Sequence, residues 1–260
     1  MMRRHFGADR SNLEAFIKNS GSTANPIIVN GDLSIAADSS ATITANSAAS
    51  AIGVSVSTSS SPSFSGGGAT ATNYITGKAN AYIEGSTVGN ASNKVDSVTL
   101  QADNQSTITA KVKASAVSVG VGTGTTAAFA NGFSLANNYI GWSDSSTKSP
   151  LEVLAYIADS NVSSSGLMTL LANSNSQIDA TVAATTVAVG ASTGSAAGLS
   201  GAGVTTTNKV ATLVKAYIGG TNNSINADGG ITISAANTSK ITADAQAAAV
   251  GASLAGSTGG

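Results

Sequence analysis

Apolar and polar residues alternate with a period of two over most of the chain. The alternation is clearest between residues 98 and 114, where the apolar positions are Val98, Leu100, Ala102, Ile108, Ala110, Val112 and Ala114. A period of two is typical of β-strands with one buried face, because successive side chains of a strand point to opposite faces. After Ala116 the apolar positions move by one residue to Val117, Val119 and Val121. A shift of one residue exchanges the two faces and predicts a bulge or corner at this point.

The alternating pattern recurs along the chain as a repeat. Its units align on four isoleucines, each with alanine six residues before it and two residues after it: Ile43, Ile108, Ile178 and Ile241. Thirty residues after the first three anchors lie Asn73, Asn138 and Asn208. An Ala-Tyr-Ile triplet then ends each complete unit, at Tyr82, Tyr156 and Tyr217. These spacings predict about 3.5 units of 63–70 residues, near 26–90, 91–160, 161–225 and 226–260.

The length of the unit predicts a shape. About 65 residues divide into three passes of roughly 20 residues, as expected of a parallel β-solenoid whose coils stack on one another. We therefore predict an all-β fold, with a single repetitive β-solenoid domain over residues 25–260. Stacked asparagines would bond to one another at a corner, and the tyrosines would form a second ladder. The alternative is an array of antiparallel hairpins, in which residues 182–191 pair with residues 198–214.

Residues 1–24 show none of this repeat. Ser11 and Glu14 have the spacing of a capping box, which predicts a short helix from Ser11 through Lys18, followed by a linker over residues 20–25. The basic start of the chain is not followed by an apolar segment, so we see no standard secretory signal. We also expect no transmembrane helix, because no stretch approaches about 20 mostly large apolar residues.

The composition excludes most catalytic chemistry. The chain has no cysteine and one histidine, which argues against a thiol nucleophile, a cysteinyl zinc site and a Ser-His-Asp triad. A net charge of −1 with 12 basic residues argues against a nucleic-acid surface. Gly, Ala, Ser and Thr make up more than half of the chain, which suits narrow, closely stacked β-layers. We expect no enzyme and no cofactor. Calcium is the one ion to consider, but the Gly-rich Asp motif of calcium-binding β-rolls is missing.

One unit carries an insertion. About nine extra residues follow Asn138, around Trp142 and Pro150. Loops that interrupt a regular scaffold often carry function. Trp142 and Glu152 are therefore candidates for a binding loop with a surface glycan or host ligand as its partner, and a tolerated surface insertion is the alternative.

Three sequence patterns resemble a known class of proteins. These are Ala-x-Asn-x-Ile around Asn73 and Asn138, the Ala-Tyr-Ile triplet with glycine soon after it, and Val-x-Leu-x-Ala at the start of a unit. They resemble the repeat arrays of giant bacterial surface and exported proteins, the filamentous-haemagglutinin-like adhesins and related β-strand-repeat exoproteins. The resemblance covers about residues 26–260. It implies a non-enzymatic structural or adhesive module at the cell surface or outside the cell.

The partners expected from this architecture are further repeats. The fourth unit is incomplete, and unpaired strand edges template pairing with another chain. We therefore expect association with neighbouring repeats of a longer chain, or self-association end to end into filaments. The alternative function is a glycan-binding or polysaccharide-active β-helix, which would need a cleft lined by aromatic and carboxylate side chains near residues 139–153.

Overall fold

A computed structural model describes residues 1–256 of the chain, so the last four residues of the fourth predicted unit lie outside the described residues. The described part consists of strands and connecting turns. The strands are β1 (Met2–Lys18), β2 (Leu33–Ser39), β3 (Thr42–Ser57), β4 (Ser61–Glu84), β5 (Thr87–Val88), β6 (Val98–Asn104), β7 (Thr107–Gly122), β8 (Thr126–Ile140), β9 (Leu151–Ala158), β10 (Asn161–Ser164), β11 (Met168–Ser174), β12 (Gln177–Ser192), β13 (Ala196–Val210), β14 (Thr212–Gly219), β15 (Ser224–Ala227), β16 (Ile231–Asn237) and β17 (Lys240–Ala255). The prediction of an all-β chain is confirmed.

The strands form four sheets in which equivalent positions of successive repeats pair. The sheet orders are β2-β6-β11-β16, β3-β7-β12-β17 and β5-β10-β15. In the fourth sheet the long strand β4 pairs with β1 on one edge and with β8 and β9 on the other, and β13 and β14 follow these two. We call the strands that one repeat contributes at one level of this stack a rung.

The strand pairs are parallel, and the antiparallel alternative is wrong. Residues 182–191 lie in β12, which pairs with β7 and β17, whereas residues 198–210 lie in β13, which pairs with β8. The anchors pair in register, Ile43 with Ile108, Ile108 with Ile178 and Ile178 with Ile241. The turn between β12 and β13 does exist. It joins two strands that face each other across the interior, so their contact is made by side chains and not by a backbone ladder.

The interior narrows along the strands. Its wide part holds large side chains such as Leu100, Ile108, Ile157, Met168 and Leu170. Beyond it lies a cluster mainly of alanine with two buried valines, and then a cluster of alanine alone: Ala116, Ala128, Ala130 and Ala188. We call this last part the narrow arm and define it as residues 49–68, 114–133, 184–203 and 247–256.

Close approach of the two sheets explains the small residues of the narrow arm. A Cβ atom on Gly190 would lie 2.4 Å from the carbonyl oxygen of Ala197, and one on Gly251 would lie 2.5 Å from that of Gly198. Glycine is therefore the residue that fits at these contacts. The Ser118 hydroxyl donates a hydrogen bond of 2.9 Å to the Ser63 hydroxyl across the same gap.

The bulge or corner predicted at Val117 is not formed. Strand β7 runs without interruption, and Ala116, Ser118 and Gly120 are buried while Val117 and Val119 face outward. The prediction assumed that the larger apolar residue points inward. That assumption fails here because the sheets lie too close together to hold valine between them.

The short helix predicted for residues 11–18 is also wrong. This segment belongs to β1, which pairs with β4 from Met2↔Gly68 to Lys18↔Glu84. The register places Ala15, Phe16 and Ile17 opposite Ala81, Tyr82 and Ile83. Residues 1–18 therefore have the position and register of the end of a repeat, with several of its typical residues changed. Pairing with β4 outweighs the local helix preference of the capping box.

Candidate functional site: ladders across the stack and the inserted loop

The recurring asparagines form a buried ladder on β4, β8 and β13. The Asn73 Nδ2 atom donates to Asn138 Oδ1 at 2.8 Å, and Asn138 Nδ2 donates to Asn208 Oδ1 at 2.8 Å. The Asn208 amide then donates to the Thr206 hydroxyl at 3.0 Å. Asn73 and Asn138 are fully buried. Burial of an amide is costly unless it is hydrogen-bonded, so the ladder makes these polar groups compatible with the interior.

The asparagine ladder stops at Asn73, on the side of β4 that faces β1. The Asn73 Oδ1 atom is buried without a hydrogen-bond partner. The residue opposite Asn73 on β1 is Gly7, which has no amide side chain to donate. This difference is one reason why the repeat is hard to recognise in residues 1–18.

The recurring aromatic residues form a second ladder on the outward side of the same sheet. The rings of Phe16, Tyr82, Tyr156 and Tyr217 stack with centroid distances of 5.1, 4.8 and 5.1 Å and with planes inclined by at most 13°. These distances match the spacing of neighbouring strands, about 4.8 Å. Parallel in-register pairing thus places each ring on the next. Shorter stacks are formed by Tyr74 with Tyr139 and by Phe64 with Phe129.

Charged residues attach β1 to the stack beside this ladder. The Lys18 Nζ atom lies 2.8 Å from a carboxylate oxygen of Glu84, and Lys78 Nζ lies 2.8 Å from one of Glu14. The Tyr156 hydroxyl donates to the second oxygen of Glu84 at 3.1 Å. Bonding to the Lys18 ammonium holds the pKa of Glu84 below its ordinary value. Burial raises the pKa of the Tyr156 hydroxyl, and the neighbouring Glu84 carboxylate adds to this effect.

A third ladder, of serines, was not predicted. The backbone N–H of Ser20 donates to Ser86 Oγ at 3.0 Å, and that of Ser86 donates to Ser160 Oγ at 3.1 Å. The N–H of Ser160 donates to Asn223 Oδ1 at 3.0 Å. Each serine follows a residue with positive φ, namely Asn19, Gly85 and Asp159. The signal in the sequence is Asn, Gly or Asp followed by Ser, two residues after the Ala-aromatic-Ile triplet.

The insertion forms an ordered loop between β8 and β9. Ile75 pairs with Ile140, 65 residues later, whereas Lys78 pairs with Glu152, 74 residues later, so the insertion is nine residues long. Within the loop, Asp144 Oδ1 accepts hydrogen bonds from the N–H groups of Ser146 and Thr147 at 2.8 and 2.7 Å. These bonds hold the pKa of Asp144 well below its ordinary value.

Lys209 fixes this loop to the next rung. Its ammonium lies 4.4 Å from the Trp142 ring centroid and donates to the Ser145 carbonyl at 3.1 Å. Lys209 occupies the register position of Tyr74 and Tyr139. The tyrosine column thus ends in a lysine where the loop folds over it, and this cation was missed because a single substitution in a repeat gives no signal of its own.

Trp142 and Glu152 have different surroundings. One face of the Trp142 ring is taken by Lys209, and its Nε1 atom is buried without a partner. Glu152 lies opposite Lys78 and Leu213 on the outward side of β9. The contacts found for these two residues thus tie each to the stack.

Part of the outward face of the narrow arm is apolar. On β3, β7, β12 and β17 its central positions are aliphatic in every rung: Ile52, Val54, Val56, Val117, Val119, Val121, Val187, Val189, Ala191, Val250, Ala252 and Leu254. Ile52 and Leu254, on the two outermost rungs, are 77% and 72% exposed. The narrow arm contains no charged residue.

Among residues 1–256, no group of three His, Asp or Glu side chains is placed to hold a metal ion. In the same range, the structure has no helix of the length and apolarity needed to span a bilayer.

Comparison with known proteins adds no relative. No protein-family model, no curated protein and no solved structure matches the chain. The functional conclusion therefore depends on the repeat and on the geometry of the stack.

Proposed function

We propose that the chain is a non-enzymatic structural module, a β-solenoid whose coils are the rungs described above. The observation that carries this proposal is the register of identical side chains across rungs. In the asparagine and serine ladders a residue forms a hydrogen bond with its counterpart in the next repeat, and in the aromatic ladder its ring stacks on that of its counterpart. Such contacts stabilise the stacking of successive repeats.

The dimensions of the stack suit a broad, stiff support. Neighbouring strands lie about 4.8 Å apart, so four rungs rise only about 19 Å. Strands of 16 residues, such as β7, are about 53 Å long. Each repeat therefore adds one wide layer of strands and raises the height of the stack by only one strand spacing. This shape, with the sequence resemblance, supports a structural or adhesive role at a bacterial surface or outside the cell.

Engineered cysteines test the solenoid, because the chain has none of its own. Thr44 pairs with Thr109 on adjacent rungs, a separation that a disulfide can span. Under mild oxidation, Thr44→Cys with Thr109→Cys should form an intrachain disulfide. The matched control is Thr44→Cys with Lys113→Cys, four residues out of register, which should not. Equal cross-linking in both variants, or none in either, would refute the parallel register.

The location and role need a test in cells. Antibody labelling of intact, unpermeabilised cells of the producing bacterium should detect the protein, and protease treatment of intact cells should remove the signal. Labelling that appears only after permeabilisation would exclude a surface role. Recovery from the culture medium would fit the extracellular form of the same proposal.

A further inference from the structure

The chain contains two Asn-Gly pairs, Asn30-Gly31 and Asn131-Gly132. In such a pair the backbone nitrogen of the glycine can attack the asparagine side chain, because glycine has no Cβ atom to crowd the approach. The attack needs rotation about backbone bonds of both residues, so its rate depends on how firmly the structure holds them. The surroundings of the two pairs differ in this respect.

The pair Asn131-Gly132 is held in a sheet. It lies in the middle of β8, which pairs with β4 on one side and with β13 on the other. Parallel ladders on both sides engage the backbone amides of such a central strand. Gly132 is also buried, and a Cβ atom built on it would lie 2.7 Å from Thr186 Cγ2. Rotation at Gly132 therefore requires β8 to leave its ladder.

The pair Asn30-Gly31 lies in a bend before β2, and Asn30 is exposed. Within residues 1–256, the Gly31 N–H donates no backbone hydrogen bond, whereas the Gly31 carbonyl accepts one of 2.9 Å from the Asp96 N–H. A Cβ atom built on Gly31 would have no neighbour within 4 Å. Gly31 has a φ of 119°, in the region that glycine adopts readily. The nitrogen that would attack is therefore in open surroundings.

From this contrast we propose that Asn30 is a site of spontaneous covalent modification in the folded protein, whereas Asn131 is protected. The Gly31 nitrogen forms a bond to Asn30 Cγ, and the bond from Cγ to the amide nitrogen breaks. The Gly31 proton leaves with the amide group as ammonia, and a five-membered succinimide ring remains. Water then opens the ring at either carbonyl carbon, which gives aspartate or isoaspartate without oxidation or reduction. The reaction depends on this local geometry and not on the proposed structural role.

The modification changes both charge and backbone beside β2. A carboxylate replaces a neutral amide, so the chain becomes one unit more negative than its net charge of −1. The new carboxylate stands two residues from Asp32, whose Oδ1 atom accepts a hydrogen bond of 2.6 Å from the Ser97 hydroxyl. In isoaspartate the main chain runs through the side-chain carbons, which adds one atom to the backbone before Leu33, the first residue of β2. Aged protein should therefore contain a second, more acidic form.

Peptide mass spectrometry of the unaltered chain tests the proposal. After incubation of the folded protein in mildly alkaline buffer, trypsin separates the two pairs into peptides 19–78 and 114–148. Conversion at Asn30 should exceed conversion at Asn131 by about tenfold or more, because β8 opens rarely. In concentrated urea the two sites should react at similar rates. Equal conversion in the folded protein, no reaction at Asn30, or the same preference in urea would overturn the proposal.

Two variants give a second measurement. Asn30→Gln lengthens the side chain that closes the ring, so the more acidic form should no longer appear when aged protein is separated by ion exchange. Asn131→Gln is the matched control and should leave that form unchanged, and circular dichroism checks that both variants fold. An isoaspartate-specific methyltransferase should label the aged unaltered chain and not aged Asn30→Gln. Equal labelling of the two, or no labelling of either, would contradict a succinimide at Asn30.

Discussion

At the scale of single residues, the repeat places buried polar side chains next to one another, so that they form hydrogen bonds in the interior. Asn138 donates to one neighbour and accepts from the other, so its amide is bonded on both sides although it is fully buried. The recurrence of asparagine at one register position was visible in the sequence. The direction of the chain of hydrogen bonds was not, and neither was its end at Gly7, because both depend on which strand lies next.

Removing the middle amide should be costly. Asn138→Ala leaves the Asn73 Nδ2 donor and the Asn208 Oδ1 acceptor without their partner in the interior. Each unsatisfied buried group costs about 1–3 kcal/mol, so we expect the free energy of unfolding to fall by about 2–6 kcal/mol in urea titrations. Asn137→Ala, which changes the adjacent residue on the outward side of β8, should shift it by less than about 0.5 kcal/mol. Similar losses in both variants would show that the ladder contributes no stability.

The ion pair between Glu84 and Lys18 should make stability depend on pH. The pKa of Glu84 is lower in the folded chain than in the unfolded chain, so its contribution is present above the ordinary carboxylate pKa of about 4.5 and is lost as pH falls through the lowered value. Glu84→Gln should therefore lower the melting temperature at pH 7, and the difference from the unaltered chain should shrink towards pH 3. Asp179→Asn, on an outward position of β12, serves as the control. A difference that persists unchanged at pH 3 would contradict this origin.

At the scale of elements, the sequence predicted the positions of the strands better than it predicted which face of each strand is buried. Alternation located β6, β7, β11 and β12, and the anchors gave the register. The inward face of the narrow arm was predicted wrongly, since apolar size decides burial only where the sheets leave space. The distance between two sheets depends on the tertiary structure, so the alternation of residues within one strand cannot predict it.

A glycine comparison tests the close approach. Gly190→Ala places a Cβ atom 2.4 Å from the Ala197 carbonyl oxygen, whereas a Cβ atom on Gly203 would have no neighbour within 4 Å. We expect Gly190→Ala to lower the free energy of unfolding by about 1–3 kcal/mol, since the backbone must move apart. Gly203→Ala should be neutral or slightly stabilising, because alanine restricts the unfolded chain more than glycine does. Equal effects in thermal or urea unfolding would mean that the sheets are farther apart than described.

The inserted loop can be followed by fluorescence, because Trp142 is the one tryptophan of the chain. The Lys209 ammonium lies over one face of its ring, 4.4 Å from the ring centroid. Lys209→Ala should shift the emission to longer wavelength and increase quenching by acrylamide, with an unchanged circular dichroism spectrum. Lys215→Ala, on β14, is the matched control and should leave the emission unchanged. An unaltered emission in Lys209→Ala would show that the loop is not held by this contact.

At the scale of the whole molecule, the repeat extends further than its sequence signature. The four rungs and their order follow from anchors that the sequence displays. Residues 11–18 were predicted to form a helix from the capping-box spacing of Ser11 and Glu14. The repeat was not recognised in residues 1–18 because Gly7 and Phe16 stand where the other units have asparagine and tyrosine. The triplet Ala15-Phe16-Ile17 retains the pattern when any aromatic residue is allowed at its middle position.

The central claim is that equivalent residues of all four repeats lie one above another. Spin labels at Thr44→Cys and Thr242→Cys measure this directly, because Thr44, Thr109, Asp179 and Thr242 follow one another in register. Three strand spacings separate the labelled backbones by about 14 Å. Pulsed electron paramagnetic resonance on labelled chains diluted with unlabelled chains should therefore give a narrow distribution of label-to-label distances below about 25 Å. A distribution centred beyond about 40 Å, as expected if the strands followed one another side by side in chain order, would contradict the stack.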